Sequence, residues 1–280
     1  MSFRGYLPFS EYEEALEGEP MTVCLAAIAE NTTIVGASDR MVGLGSTQYQ
    51  PDQTKIWHLT SSIVAMVASN NVYLQTEIHE KVFNKVRERL NVDIDNWWQV
   101  KDVASLYRQA HQEIRITKIE DQILHPKGMD FPDFLQRQKD LAGSVLDDIR
   151  EELEQFQLPR MSFLLVGNDL QFNVVTPHIY VLEDGTISCR DAVGFAAIGS
   201  GASHATSHFT VEAYSRHSLG GAALYNVLWA KKRAERAQGV GQHTDMFIIG
   251  NELGSFRTVS DAHIRQLEAI YNRKIGRAHV

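Results

Sequence analysis

Met21-Thr22-Val23-Cys24-Leu25-Ala26-Ala27-Ile28-Ala29 and Thr33-Ile34-Val35-Gly36-Ala37-Ser38-Asp39-Arg40 flank the polar turn Glu30-Asn31-Thr32. Both flanks are short and apolar, rich in β-branched and small residues. A polar three-residue turn between two such runs predicts a β-hairpin with buried strands. Thr22 stands at its entrance and Asp39 at its exit. Sixteen residues on comes Lys55, in Thr54-Lys55-Ile56-Trp57-His58-Leu59, at the start of another expected strand.

A threonine, an aspartate and a lysine in this pattern have a chemical reading. A threonine hydroxyl is a weak nucleophile at neutral pH and needs an adjacent base. If the chain is cut before Thr22, the new α-amine supplies that base, since an α-amine titrates near pH 8. A nearby lysine ammonium lowers the proton affinity of amine and hydroxyl by like-charge repulsion. An aspartate would hold the lysine in place. The same residues also fit a turn threonine beside an ordinary Asp39–Lys55 ion pair, and spacing alone does not separate the two.

The order of motifs narrows the choice. Thr22, Ala37-Ser38-Asp39-Arg40 and Lys55-Ile56-Trp57-His58-Leu59 resemble the start of the proteasome β-subunit family, which includes the bacterial homologues HslV and Anbu. The resemblance continues through Ile63 to Ser69, Phe195 to Ala202 and Val240 to Ile249, and covers most of residues 22 to 250. It implies an N-terminal-nucleophile hydrolase and an α+β fold: a four-layer αββα sandwich of two antiparallel sheets between helices. It also implies a threonine peptidase in a homo-oligomeric ring, acting on protein or peptide, with an ATP-driven unfoldase as a partner in some relatives. Carried over residue by residue, Thr22 is the nucleophile, Lys55 tunes proton affinities and Asp39 orients Lys55. Ser69 stands where the family has a glycine whose N–H binds the oxyanion, and serine keeps that donor. Ser200 corresponds to a serine beside the threonine amine. The family also has an aspartate and a serine shortly before Val240-Gly241. Here that segment is Glu235-Arg236-Ala237-Gln238-Gly239, with no serine and Glu235 as the nearby carboxylate. This departure keeps two alternatives open: a non-catalytic ring or scaffold subunit, and an amidase acting on a small amide.

Composition sets outer bounds. The chain has 280 residues and a net charge of −8, which argues against nucleic acid as a partner. Two cysteines, Cys24 and Cys189, give no disulfide framework and fit a reducing, cytoplasmic compartment; both read as small buried residues. No apolar run approaches the roughly 20 residues of a membrane span. Neither a metal-ligand cluster nor a phosphate loop is apparent. His204 and His208 share a helix face without a third ligand, so no metal or other cofactor is expected.

Residues 1 to 21 read as a propeptide removed to free Thr22, or as an upstream extension with Met21 as the true start; a third reading leaves them attached. Residues 22 to 273 form one domain. Met41 to Thr54 reads as a loop, with Gly43, Gly45, Ser46 and Pro51. Helices are expected at Val72 to Leu90 and Gln99 to Leu124, the latter ended by His125-Pro126-Lys127-Gly128. A third, Phe131 to Phe156, exceeds what a compact member of the family carries, so about 119 to 158 reads as a helical insertion. Strands follow at Met161 to Val166, Gln171 to Thr176 and Ile179 to Leu182. Next come helices at Ser203 to Ser215 and Leu219 to Arg236, the second with Lys231, Lys232, Arg233 and Arg236 outward. A strand at Asp245 to Gly250 and a helix at Asp261 to Arg273 complete the domain. Lys274 to Val280 matches a translated sequencing adapter and is read as an artefact.

Overall fold

In the computed structural model, which describes residues 20–44, 47–49, 54–92, 97–171 and 174–278, the opening hairpin forms as the sequence predicts. Strand β1 (Cys24–Ala29) pairs antiparallel with β2 (Thr33–Ser38), from Cys24↔Ser38 to Ala29↔Thr33. Glu30 and Asn31 take left-handed backbone conformations, φ 52° and 57°. Side chains hold that turn from outside: Glu30 Oε1 accepts from Gly220 N–H at 3.2 Å, and Arg216 Nε donates to Asn31 Oδ1 at 2.7 Å.

The hairpin is the centre of a five-stranded antiparallel sheet. On one side β1 pairs with β10 (Phe195–Ile198). On the other, β2 pairs with β11 (Asp245–Ile249), which pairs with β12 (Phe256–Thr258). A second antiparallel sheet runs in the order β5 (Ile56–His58), β6 (Ile63–Ser69), β7 (Met161–Gln171), β8 (Val174–Glu183) and β9 (Thr186–Cys189).

Strand alternation divides β1 between two cores. Cys24, Ala26 and Ile28 join Ile34 and Phe247 against Val64, Met66, Leu164 and Val166 of the second sheet. The intervening Val23, Leu25, Ala27 and Ala29 face outward onto helices: α5 (Ala202–Val211), α6 (Gly220–Ala234) and α7 (Asp261–Ala278), through Phe209, Val227 and Ile264. Being covered on both faces, β1 reads as a continuous apolar run rather than an alternating one. The outer face of the second sheet, Ile63, Ala65, Val67, Phe163 and Leu165, packs on α1 (Val72–Val92) and α2 (Val100–Ile119). The molecule is thus α+β, with two antiparallel sheets face to face and helices on the outer side of each. Burying one large aliphatic or aromatic side chain contributes about 2 kcal/mol. No helix among the described residues is long and apolar enough to cross a membrane.

The helix stripes hold, with adjustments at their ends. Leu74, Ile78, Val82 and Val86 of α1 are buried, as are Val100, Val103, Tyr107, Ala110 and Ile114 of α2. The final turn of the second expected helix is a π-turn, Glu120–Leu124, followed by a 3₁₀ turn, His125–Lys127, and Gly128 at φ 73°. The expected third helix is two: α3 (Phe131–Arg137), capped by Asp130 accepting from Asp133 N–H at 2.7 Å, and α4 (Gly143–Gln155). Ile119, Ile123, Leu124, Met129, Phe134 and Ile149 form a separate small core, so the insertion supplies much of its own packing. Val145 of α4 is exposed.

Other expectations are corrected. The segment after Arg40 holds a short hairpin, β3 (Val42–Leu44) with β4 (Thr47–Tyr49), where a loop was expected; Gly45, Ser46 and Pro51 lie outside the described residues. The strands expected at Gln171 to Thr176 and Ile179 to Leu182 are divided differently: Gln171 ends β7, and Val174 to Glu183 form one strand, β8, that runs through Pro177. Among the described residues, Pro177 falls in the half of β8 that pairs with β7 alone, where a missing N–H costs least. Helix α5 stops at Val211, and Ala213 turns at φ 48°. Ile270 of α7 is exposed, and the helix continues through Lys274 to Ala278. Cys24 is buried as expected, but Cys189 is exposed. Apart from Pro20 and Met21, the segment ahead of Thr22 lies outside the described residues.

Candidate active site

Thr22 enters the first sheet just ahead of β1, and Asp39 leaves it just after β2. The hairpin register therefore returns Asp39 beside Thr22, and Asp39 N–H donates to Val23 O at 3.2 Å. Lys55 arrives from the other sheet, one residue before β5. The three meet: Thr22 Oγ1 donates to Asp39 Oδ1, and Lys55 Nζ donates to Thr22 Oγ1 and, at 2.9 Å, to Asp39 Oδ1. Thr22 and Asp39 are buried and Lys55 is nearly so.

Asp39 is the hub. Besides Thr22 and Lys55, its Oδ1 accepts from Val23 N–H at 3.2 Å. Its Oδ2 accepts from Met41 N–H at 3.1 Å and Gly241 N–H at 2.8 Å. A buried carboxylate needs this many donors to offset its desolvation. Chemically, the Thr22 hydroxyl has a carboxylate facing its proton and an ammonium facing its oxygen. That field stabilises negative charge developing on Oγ1.

The segment on either side of Thr22 is held by the loop after β10. Gly201 N–H donates to Thr22 O at 3.1 Å, and Ser200 N–H donates to Pro20 O at 2.9 Å. Ser200 Oγ lies 3.5 Å from Thr22 O and donates to Gln238 O at 3.1 Å. Gly199 has φ 89°, and a Cβ there would collide with the Thr22 carbonyl oxygen. Only glycine fits that approach. Across the segment, Met21 N–H donates to Asn70 Oδ1 at 3.3 Å, and the Met21 side chain lies over Gly239.

Of the five residues singled out in the sequence, Thr22, Asp39 and Lys55 are thus in direct contact, and Ser200 reaches the Thr22 backbone. Ser69 ends β6 with its side chain engaged in its own turn: Oγ donates to Asn71 O at 3.2 Å and accepts from Asn71 N–H at 3.0 Å. Its neighbour Asn70 touches the leading segment.

Glu235 does not lie against Thr22. It pairs with Lys231 at 2.5 Å and Lys232 at 3.0 Å. Lys231, expected outward, is fully buried, with Nζ donating to Gly241 O at 2.9 Å and Gln242 O at 2.8 Å. Sequence reasoning missed it because it opens a basic run. The available signal was spacing: Lys231 lies four residues after Val227 and three before Ala234, on the buried row of α6. Burial pushes its ammonium pKa down to about 8, against the pull of Glu235. Cys24, next to the cluster in sequence, has its thiol pushed up to about 12 by burial, which keeps it protonated and inert.

Among the described residues, no group of three or more His, Cys, Asp or Glu side chains is placed to hold a metal ion. His208 is buried beside Asn226, with Nε2 3.2 Å from Oδ1. No protein-family model matches the chain, and no curated protein matches it.

Proposed function

We propose that this chain is a threonine-type peptidase of the proteasome family, with the N-terminal-nucleophile hydrolase fold, acting within a homo-oligomeric ring. The observation that carries the reading is the three-way contact of Thr22 Oγ1, Lys55 Nζ and Asp39 Oδ1. Three residue types picked from one hairpin and the strand beyond it converge on one buried point, with the polarity that activates a hydroxyl.

In this reading the Met21–Thr22 bond is cut first, which frees the Thr22 amine. Thr22 Oγ1 then attacks a peptide carbonyl carbon while the amine takes the hydroxyl proton. The oxyanion is held by backbone N–H donors, among them that of Ser69. The tetrahedral intermediate collapses as the amine passes its proton to the leaving nitrogen, leaving an ester on Oγ1. Water hydrolyses the ester and restores the threonine. Lys55 keeps a positive charge beside Oγ1 throughout, and Asp39 keeps Lys55 in place. The substrate is protein or peptide, and an ATP-driven unfoldase would feed the ring.

The test is Thr22→Ala in the full chain. Hydrolysis of a fluorogenic peptide amide is expected to vanish while the assembly, sized by light scattering, persists. Hydrolysis that survives the substitution refutes the mechanism.

One observation favours a second reading, a non-catalytic ring subunit. Glu235, the carboxylate within the altered 235–239 segment, is committed to Lys231 and Lys232 rather than to Thr22. N-terminal sequencing of the purified protein separates the readings. A chain beginning at Thr22 supports catalysis; one that retains Met21 supports the scaffold.

A further inference from the structure

Helix α6 packs on the outer face of the first sheet through Ala223, Val227, Ala230 and Ala234. Lys231 belongs to that inward row. Burying an ammonium costs several kcal/mol unless it is paired, and an apolar side chain would fill the same space at lower cost. Packing alone therefore does not account for a lysine here.

The ammonium has three protons and three acceptors: Glu235 Oε1 at 2.5 Å, Gly241 O at 2.9 Å and Gln242 O at 2.8 Å. The turn it grips is the one whose Gly241 N–H reaches Asp39 Oδ2 at 2.8 Å. A continuous relay thus runs from Glu235 through Lys231 and Gly241 to Asp39, and from there to Lys55 and Thr22.

We propose that Lys231 is a positioning residue for the Thr22 site: while protonated, its ammonium clamps the 241–242 turn and aims Gly241 N–H at Asp39. The catalytic half of this inference rests on the peptidase reading; the clamp itself does not. The charged groups facing Lys231 are Lys232 on its own helix, Glu235 at the cap just past that helix, and Asp39 beyond β2. Glu268 of α7 joins through Lys232, at 2.7 Å. Because burial lowers the ammonium pKa to about 8, mild alkali releases the clamp.

Two variants of the full chain, Lys231→Met and Glu235→Gln, test this with two readouts. The first readout is kcat and KM for a fluorogenic tetrapeptide amide across pH. The second is amide hydrogen exchange over residues 238–245. Lys231→Met is expected to lower kcat about a hundredfold with KM unchanged, the scale of a misplaced catalytic group. It also speeds exchange in the 238–245 segment. Glu235→Gln removes the carboxylate that supports the charge, so the alkaline limb of kcat moves to lower pH by about one to three units. The acid limb, set by the Thr22 amine, stays in place. Wild-type kcat and exchange in Lys231→Met, or an unmoved alkaline limb in Glu235→Gln, overturns the proposal. If Lys231→Met does not fold, Glu235→Gln decides the matter. If Thr22→Ala still hydrolyses peptide, the peptidase reading falls by itself. The clamp is then judged on exchange protection alone, measured against the intrinsic rate at each pH, which must fall above about pH 8 in the wild type and at lower pH in Glu235→Gln.

Discussion

Asp39→Asn is the most informative single change, because it keeps shape and removes charge at the hub. Among the described residues, the carboxylate accepts five hydrogen bonds, from Thr22 Oγ1, Val23 N–H, Lys55 Nζ, Met41 N–H and Gly241 N–H. An asparagine offers one acceptor oxygen and turns an NH₂ group toward donors on its other side. It also leaves the Lys55 ammonium without its counter-charge. Breaking a buried ion pair from one side costs about 3–5 kcal/mol. For a domain of this size, that lowers Tm by roughly 6–20 °C. Lys55→Met leaves Asp39 four of its donors, so its cost is smaller, about 1–3 kcal/mol. The double variant no longer strands a charge and is expected to be more stable than the sum of the singles predicts, by about 1–3 kcal/mol. Urea unfolding of the wild type and three variants at pH 7, followed by circular dichroism, completes the cycle. Additivity within about 0.5 kcal/mol refutes the contact on which the site is built.

Three further outcomes are expected. Gly199→Ala forces a Cβ against the Thr22 carbonyl at a left-handed backbone position, so it lowers stability by more than 1 kcal/mol in urea unfolding and peptide hydrolysis falls with it. His178 donates to Asp191 at 2.7 Å and lies 3.4 Å from Asp169; the Asp191 hydrogen bond foremost raises its pKa above the ordinary value. Its charged form therefore stabilises the fold fully below about pH 6.5, and the contribution is lost as pH rises through the higher folded value. The stability advantage of wild type over His178→Gln should shrink between pH 6 and pH 8.5. Ile149→Ala removes a buried side chain from the insertion's own core, at a cost of about 2–5 kcal/mol locally. Hydrogen exchange should quicken across 119–156 and stay unchanged in β1, β2 and β6, with peptide hydrolysis retained.

Much of this was legible in the sequence where one face decides burial. The β1–β2 hairpin follows from β-branched runs around a polar turn, and α1 and α2 from apolar residues every third or fourth position. The approach of Asp39 to Thr22 was legible because a hairpin returns its exit to its entrance, whereas Lys55, which arrives from the other sheet, was singled out by the resemblance to the proteasome family rather than by spacing. What escaped was set by tertiary context. Lys231 looked solvated because its neighbours Lys232 and Arg233 are basic, although its row on the helix is apolar. The run through Pro177 escaped because a proline is tolerated in a strand where it needs no second ladder, and among the described residues that part of β8 pairs with β7 alone. The break between α3 and α4 falls in the polar run Gln138-Lys139-Asp140, where the helical periodicity of a short segment is too weak to show it. Ser69 was chosen for its backbone N–H, a group no side-chain pattern can place.

The donors to Asp39 come from chain positions as near as Met41 and as far as Gly241, 202 residues away. Loop closure over that distance is paid late, after local hairpins and helices have formed. A polypeptide leaving the ribosome from its N-terminus has Thr22, Asp39 and Lys55 in hand long before Gly241, the last amide of their cradle, is made. Synthesis order thus acts as a timer: the hydroxyl comes under its full complement of charges and dipoles only once the rest of the domain is there to enclose it.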